Sequence, residues 1–139
     1  ISPAMCREFL LPTWTAWTQQ VRAAGVPVID MDSDGYIGEL IPLWIEAEMN
    51  VCDPIEVAAG NDINEFRRQF GRTMGYTGGV DKRAIAAGGE VIRAELDRIE
   101  PVVRDGGFIP SCDHGVPPDI SWPNFVDYSR RLAEMTGWL

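Results

Sequence analysis

One unit recurs four times along the chain: a short apolar stretch, a polar loop, then an amphipathic stretch at helical spacing. The apolar stretches are Val26-Pro27-Val28-Ile29, Asn50-Val51-Cys52, Thr73–Tyr76 and Phe108-Ile109, and each reads as a strand. The helices between them carry apolar stripes: Ile37, Leu40, Ile41, Trp44, Ile45 and Met49; then Ile63, Phe66 and Phe70; then Val91, Ile92, Leu96, Ile99 and Val103; then Phe125, Tyr128, Leu132 and Met135. Asp62, with Glu65 three residues on, marks one helix start, and Gly71 marks its end. Ser121, with Pro123 in the first turn, marks the start of the last helix. Pro101 should bend the last turn of the third. A further helix, about residues 3–24, precedes the first unit; Phe9, Leu10, Trp14, Trp17 and Val21 line it, Pro12 should kink or break it, and Gly25 stops it. Strands alternating with helices imply a parallel sheet with right-handed crossovers. The expected fold is therefore α/β: a single domain over residues 1–139, built as a (β/α)4 half of a (β/α)8 barrel behind an N-terminal helix. Periodicity alone fits a small four-stranded α/β sandwich equally well.

Charge and composition remove several function classes. A net charge of −9 argues against nucleic acid, whose phosphates need a basic surface. No run approaches the ~18 apolar residues of a membrane span, and no signal peptide is visible. Cys6, Cys52 and Cys112 are odd in number and widely spaced, which argues against a disulfide framework and for a reduced, cytoplasmic protein. The chain starts at Ile1, and its organisation favours a fragment of a longer protein.

Every polar cluster follows a strand, which in a barrel puts them all on the C-terminal face, where such enzymes work. Gly106–Asp119 is the richest: a strand runs into Cys112, Asp113 and His114, the only histidine, and a Pro117-Pro118 turn closes it. His114 can serve as ligand, general acid or substrate donor, or as a structural histidine bonded to the turn. Asp32 and Asp34, two apart, share one face if the segment is extended. With His114 they form a candidate two-carboxylate, one-histidine site for zinc or another divalent metal; the alternative is an acidic loop capping the helix near Ile37. Cys112 is a candidate fourth ligand or a small buried residue. Gly78-Gly79 followed by Asp81, Lys82 and Arg83 is a candidate anion cradle, with Asp113 alongside as a substrate-binding residue; a plain turn with solvated charges is the alternative. Cys6 and Cys52 read as structural, and the five tryptophans as helix-packing anchors.

The stretch GGFIPSCDHGVPPDISWPNF (106–125) resembles the C-terminal signature of the uroporphyrinogen decarboxylase superfamily, which includes cobalamin-linked methyltransferases. PVIDMDSDG (27–35), LIPLWIEAEMNVCDPIEVAAGND (40–62) and GGVDKRAIAAG (78–88) extend the resemblance over nearly the whole chain. It implies the C-terminal half of a (β/α)8 barrel and tips the fold toward the half-barrel. The decarboxylase branch has a histidine in a Gly-His-Gly context near its last strand; His114-Gly115 matches the second half and Asp113 replaces the first glycine. The methyltransferase branch holds zinc with a His-x-Cys pair after its fifth strand and a cysteine after its eighth. Here Asp32-Ser33-Asp34-Gly35 stands in the first place, and Cys112 and His114 lie near the third-ligand position. The resemblance implies decarboxylation or methyl transfer on a small-molecule substrate at His114, Asp32 and Asp34, with a corrinoid protein as partner in the second case. A chain of four parallel strands has two unpaired sheet edges and an uncovered, apolar strand face. It is therefore also expected to associate, as a homodimer or with a separate N-terminal half-barrel, even without catalysis.

Overall fold

The computed structural model describes all of residues 1–139. Strands β1 (Asp30–Asp32), β2 (Val51–Asp53), β3 (Gly75–Val80) and β4 (Phe108–Cys112) form one sheet in sequential order, every pair parallel. Helix α1 (Pro3–Met5) passes through a π-helical turn, Cys6–Leu10, into α2 (Leu11–Ala23). The wider turn lies just ahead of Pro12, which sits within the first turn of α2. Helix α3 (Ile41–Glu46) crosses from β1 to β2, and α4 (Ile63–Phe70) from β2 to β3. Two helices, α5 (Lys82–Ala87) and α6 (Gly89–Asp105), cross from β3 to β4, and α7 (Trp122–Thr136) follows β4. Strand order and crossovers make this a (β/α)4 unit behind an N-terminal helix.

The helices cover one face of the sheet. Met31, Cys52, Tyr76 and Phe108 are in register across the four strands and point into the core, where Cys52, Tyr76 and Phe108 are buried. The stripes on α3, α4, α6 and α7 meet them through Ile41, Trp44, Ile63, Phe66, Ile92, Leu96, Ile99 and Tyr128. The opposite face stays open. It carries Asp30 and Asp32 on β1, Asp53 on β2, Thr77 on β3, and Ile109 and Ser111 on β4. An uncovered face was expected, but its β1–β2 half is acidic rather than apolar.

Both outer strands are open. Tyr76 N–H donates to Gly107 O and Asp113 N–H to Val80 O, so Phe108, Pro110 and Cys112 turn their backbone groups outward. Pro110 has no N–H to leave unpaired there, a usual device on an edge strand.

Several elements are displaced from their expected places. Val26 and Val28 are exposed, and their segment is not a strand. Its carbonyls are taken by side chains instead: Arg22 donates to Val26 O and Pro27 O, and Asn50 donates to Pro27 O and accepts from Ile29 N–H. The strand forms at Asp30–Asp32 instead, within the expected acidic loop. Gly78-Gly79 lies inside β3 rather than in a loop after it. Both glycines have positive φ, and a Cβ on Gly78 would come within 2.9 Å of Ile55 N, so the strand needs glycine for close backbone approach. Of the tryptophans, Trp44 is buried and Trp14 packs against the core, whereas Trp17, Trp122 and Trp138 are exposed, Trp122 with its ring stacked on Phe125. Cys6 and Cys52 are buried, and no helix is long and apolar enough to cross a membrane.

Candidate active-site cleft

Parallel strands deliver their C-terminal ends to one rim, and a cleft of about 340 Å³ opens there. All four strands contribute to its lining: Asp32 and Asp34 from the end of β1 and its loop, Asp53 from β2, Thr77 and Gly78 from β3, Ser111 and Cys112 from β4 with His114 beyond. Asp32, Asp34 and His114 were expected to meet, and two of them do so in a direct contact. His114 Nε2 lies 3.4 Å from Asp34 Oδ1, although the two residues follow strands at opposite edges of the sheet.

The histidine's tautomer follows from its other contact. Nδ1 lies 2.8 Å from the carbonyl oxygen of Asp113, which can only accept. Nδ1 therefore carries a proton, and Nε2 is the nitrogen left to gain or lose one, facing the Asp34 carboxylate. Asp34 is 73% exposed and His114 37%, so the pair is open to solvent and to a ligand.

The rest of the cleft is acidic. Asp32 and Asp53 are register partners on adjacent strands, and Asp30 stands two residues before Asp32 on the same face. Partial burial, then Asp53 and Asp32, push the Asp30 carboxyl above its usual range. Burial pushes the Cys112 thiol up as well, so it lines the cleft as a thiol rather than a thiolate. Cys52, on the helix-covered face, is pushed up to about 12 by burial and by Asp30 and Asp53, and is inert. No three histidine, cysteine, aspartate or glutamate side chains converge closely enough to hold one ion. Asp32, Asp34, His114 and Cys112 share the cleft as a lining and do not form a ligand set, so a zinc-type centre does not fit this arrangement.

The residues expected to bind an anion are largely engaged elsewhere. Asp81 caps α5 by accepting from Arg83 N–H at 2.9 Å, and its carboxylate pairs with the Arg83 guanidinium at 2.7 Å. Partial burial works against ionisation of Asp81, but these Arg83 bonds outweigh it and leave the carboxyl below its usual range. Lys82 reaches Glu56 at 3.4 Å and Asp113 at 3.7 Å. The Asp113 side chain is fully buried and accepts from Val57 N–H and Lys82 N–H. With Gly78-Gly79 in the sheet, no phosphate-type cradle forms. Asp53, Thr77 and Ser111 were missed; their polar side chains alternate with core-facing Cys52, Tyr76 and Cys112, and that alternation was the available signal. Glu56 and Asn61, which fasten the surrounding loops, carried none.

A scan against protein-family models and searches of curated proteins and solved structures find no match to this chain.

Proposed function

We propose that the chain is the C-terminal half of a (β/α)8 barrel of the uroporphyrinogen decarboxylase type, and that its cleft performs acid–base work on a small ligand. The motifs quoted above support the first part, together with a (β/α)4 unit whose cleft lies at the strands' C-terminal ends. The His114–Asp34 contact at 3.4 Å carries the second. His114 Nε2 takes or gives the proton, and Asp34 stabilises the imidazolium formed. Thr77 and Ser111 offer hydroxyl groups to the ligand. Asp32, Asp34 and Asp53 favour a ligand with a cationic or hydrogen-bond-donating group and repel one whose reacting end is a carboxylate. That disfavours the acidic side chains handled by the decarboxylase branch. The zinc-and-corrinoid chemistry of the other branch needs soft ligands that Asp32 and Asp34 do not supply.

The single histidine makes the test direct. Small amines, polyols and carboxylates are titrated into labelled protein while the His114 ring resonances are followed. Shifts with amines or polyols, lost in Asp34→Asn, are expected; shifts with carboxylates alone would reverse the assignment. Metal content by mass spectrometry, beside Asp34→Ala, examines the zinc or divalent-metal alternative. About one ion per chain, lost in the variant, would restore it.

A second reading, a half-barrel that associates, rests on the open β4 edge. Ile109 is 68% exposed there, and an apolar groove of about 810 Å³ beside it is lined by Val103, Phe108, Leu132 and Met135. A homodimer or a separate N-terminal half-barrel would cover both. Light scattering distinguishes a dimer from a monomer.

A further inference from the structure

Asp34 and His114 follow the two outermost strands, which are three strand spacings of about 4.8 Å apart. Something must hold two opposite loops close enough for a 3.4 Å contact. One polar chain runs between them and takes one member from the segment that follows each strand.

It begins at Gly35, the residue after Asp34. Gly35 N–H donates to Glu56 Oε2 at 3.1 Å, and Gly35 O accepts from Asn61 Nδ2 at 2.8 Å. Asn61 is buried and also fastens Ile37 N–H and Glu56 O, so both backbone groups of Gly35 are tied to the loop after β2. Glu56 Oε1 faces the Lys82 ammonium, at the start of α5 after β3, at 3.4 Å. The same ammonium lies 3.7 Å from Asp113 Oδ1, in the loop after β4. Asp113, with a fully buried carboxylate, also accepts from Val57 N–H at 2.9 Å and Lys82 N–H at 3.2 Å. Asp113 is the residue before His114, and its carbonyl is the one that receives Nδ1–H. The two ends of the chain are thus the immediate neighbours of the two acid–base residues.

We propose that Lys82 is a positioning residue: a belt Gly35–Glu56–Lys82–Asp113 sets the separation of Asp34 and His114 and couples the first loop to the last. Lys82 is the one cation in the belt and sits between two carboxylates. Without it, Glu56 and the buried Asp113 lose the cation that lies between them. The two carboxylates would then repel each other, and the loops would part. Lys82 lies outside the cleft lining. The inference builds on the acid–base reading of the cleft, but the belt is measured without any ligand, so the two fail separately.

The experiment is amide hydrogen exchange and imidazole nitrogen spectroscopy on the full chain, for wild type, Lys82→Met, Lys82→Arg and Glu56→Gln. Lys82→Met should speed exchange of the Gly35 amide by about tenfold through local opening, although Lys82 does not touch Gly35. The His114 ring signals should move toward those of Asp34→Asn. Lys82→Arg should restore both, while the central amides of α6 keep their protection. Glu56→Gln, which leaves the buried Lys82–Asp113 link in place, should give the same two changes if Lys82→Met does not fold. The proposal is overturned if Gly35 and His114 are unmoved while Val57 alone loses protection, because Lys82 is then a local anchor. Uniform loss across α6 in both variants overturns it too, as general destabilisation.

Discussion

Asp30 is the residue whose local chemistry runs most directly against the fold. It stands on the open face with Asp32 on its own strand and Asp53 on the next, and it is pushed above its usual range by partial burial and by both neighbours. Like charges placed side by side on a sheet cost about 0.2–1 kcal/mol. Asp30→Asn is therefore expected to raise stability at neutral pH by an amount in that range, read from the denaturation midpoint. An unchanged or lower midpoint would mean that the carboxylate is held by a compensating contact. Gly78 works in the opposite sense. Its φ of +90° and the 2.9 Å approach of Ile55 N leave no room for a side chain. Gly78→Ala should cost about 1–3 kcal/mol, measured in the same way, and should disturb the cleft wall that Gly78 forms.

At the scale of elements, caps and stripes were legible in the amino-acid sequence and strand ends were not. Asp62 does cap α4, accepting from Asn64 N–H at 2.9 Å, and Gly71 ends that helix with positive φ. Glu65 does not complete the capping box; it turns to Arg68 instead. Asp62→Ala should cost about 1 kcal/mol, with a further small loss because Arg98 also reaches Asp62 at 3.2 Å. A thermal melt checks this, and Ser121→Ala at the start of α7 should behave alike. Such caps are local, so sequence shows them. The start of β1 is not local: whether Val26–Ile29 or Asp30–Asp32 pairs with β2 depends on Arg22 and Asn50 side chains that arrive from elsewhere. Gly78-Gly79 looked like a loop because glycine usually breaks strands, yet here the backbone of the Pro54–Ile55 segment must come close. The cleft followed the same division. Its location at the strands' C-terminal rim, and the membership of Asp32, Asp34, Cys112 and His114, came from counting loops after strands. The bonding that withdraws Asp113, Lys82 and Asp81 from that rim depends on distances between loops, which no spacing in one chain reports.

The whole molecule carries a net charge of −9, and its acid response sums terms of both signs. Asp30 has its folded-state pKa raised, so its cost is present at neutral pH and is relieved as pH falls and it takes up a proton. Lowering the net negative charge acts in the same direction. Glu56, Asp105 and Asp127 are lowered, through the Gly35 N–H with Lys82, through Arg72, and through Arg131 with Arg130, respectively. Asp81 is lowered through Arg83 against the opposing effect of its burial. Such groups contribute stability above their unfolded-state values, near 4.5 for glutamate and 3.8 for aspartate, and lose it as pH drops through the lower folded values. Stability should therefore rise slightly on mild acidification from neutral pH, pass a shallow maximum, and fall steeply below about pH 4. Denaturation midpoints between pH 7 and pH 2.5, taken at constant ionic strength, would trace this curve. In Asp30→Asn the rise on the neutral side should flatten while the acid limb stays; in Glu56→Gln the acid limb should become shallower. A curve that falls monotonically from pH 7 would show that the lowered carboxylates outweigh Asp30 over the whole range.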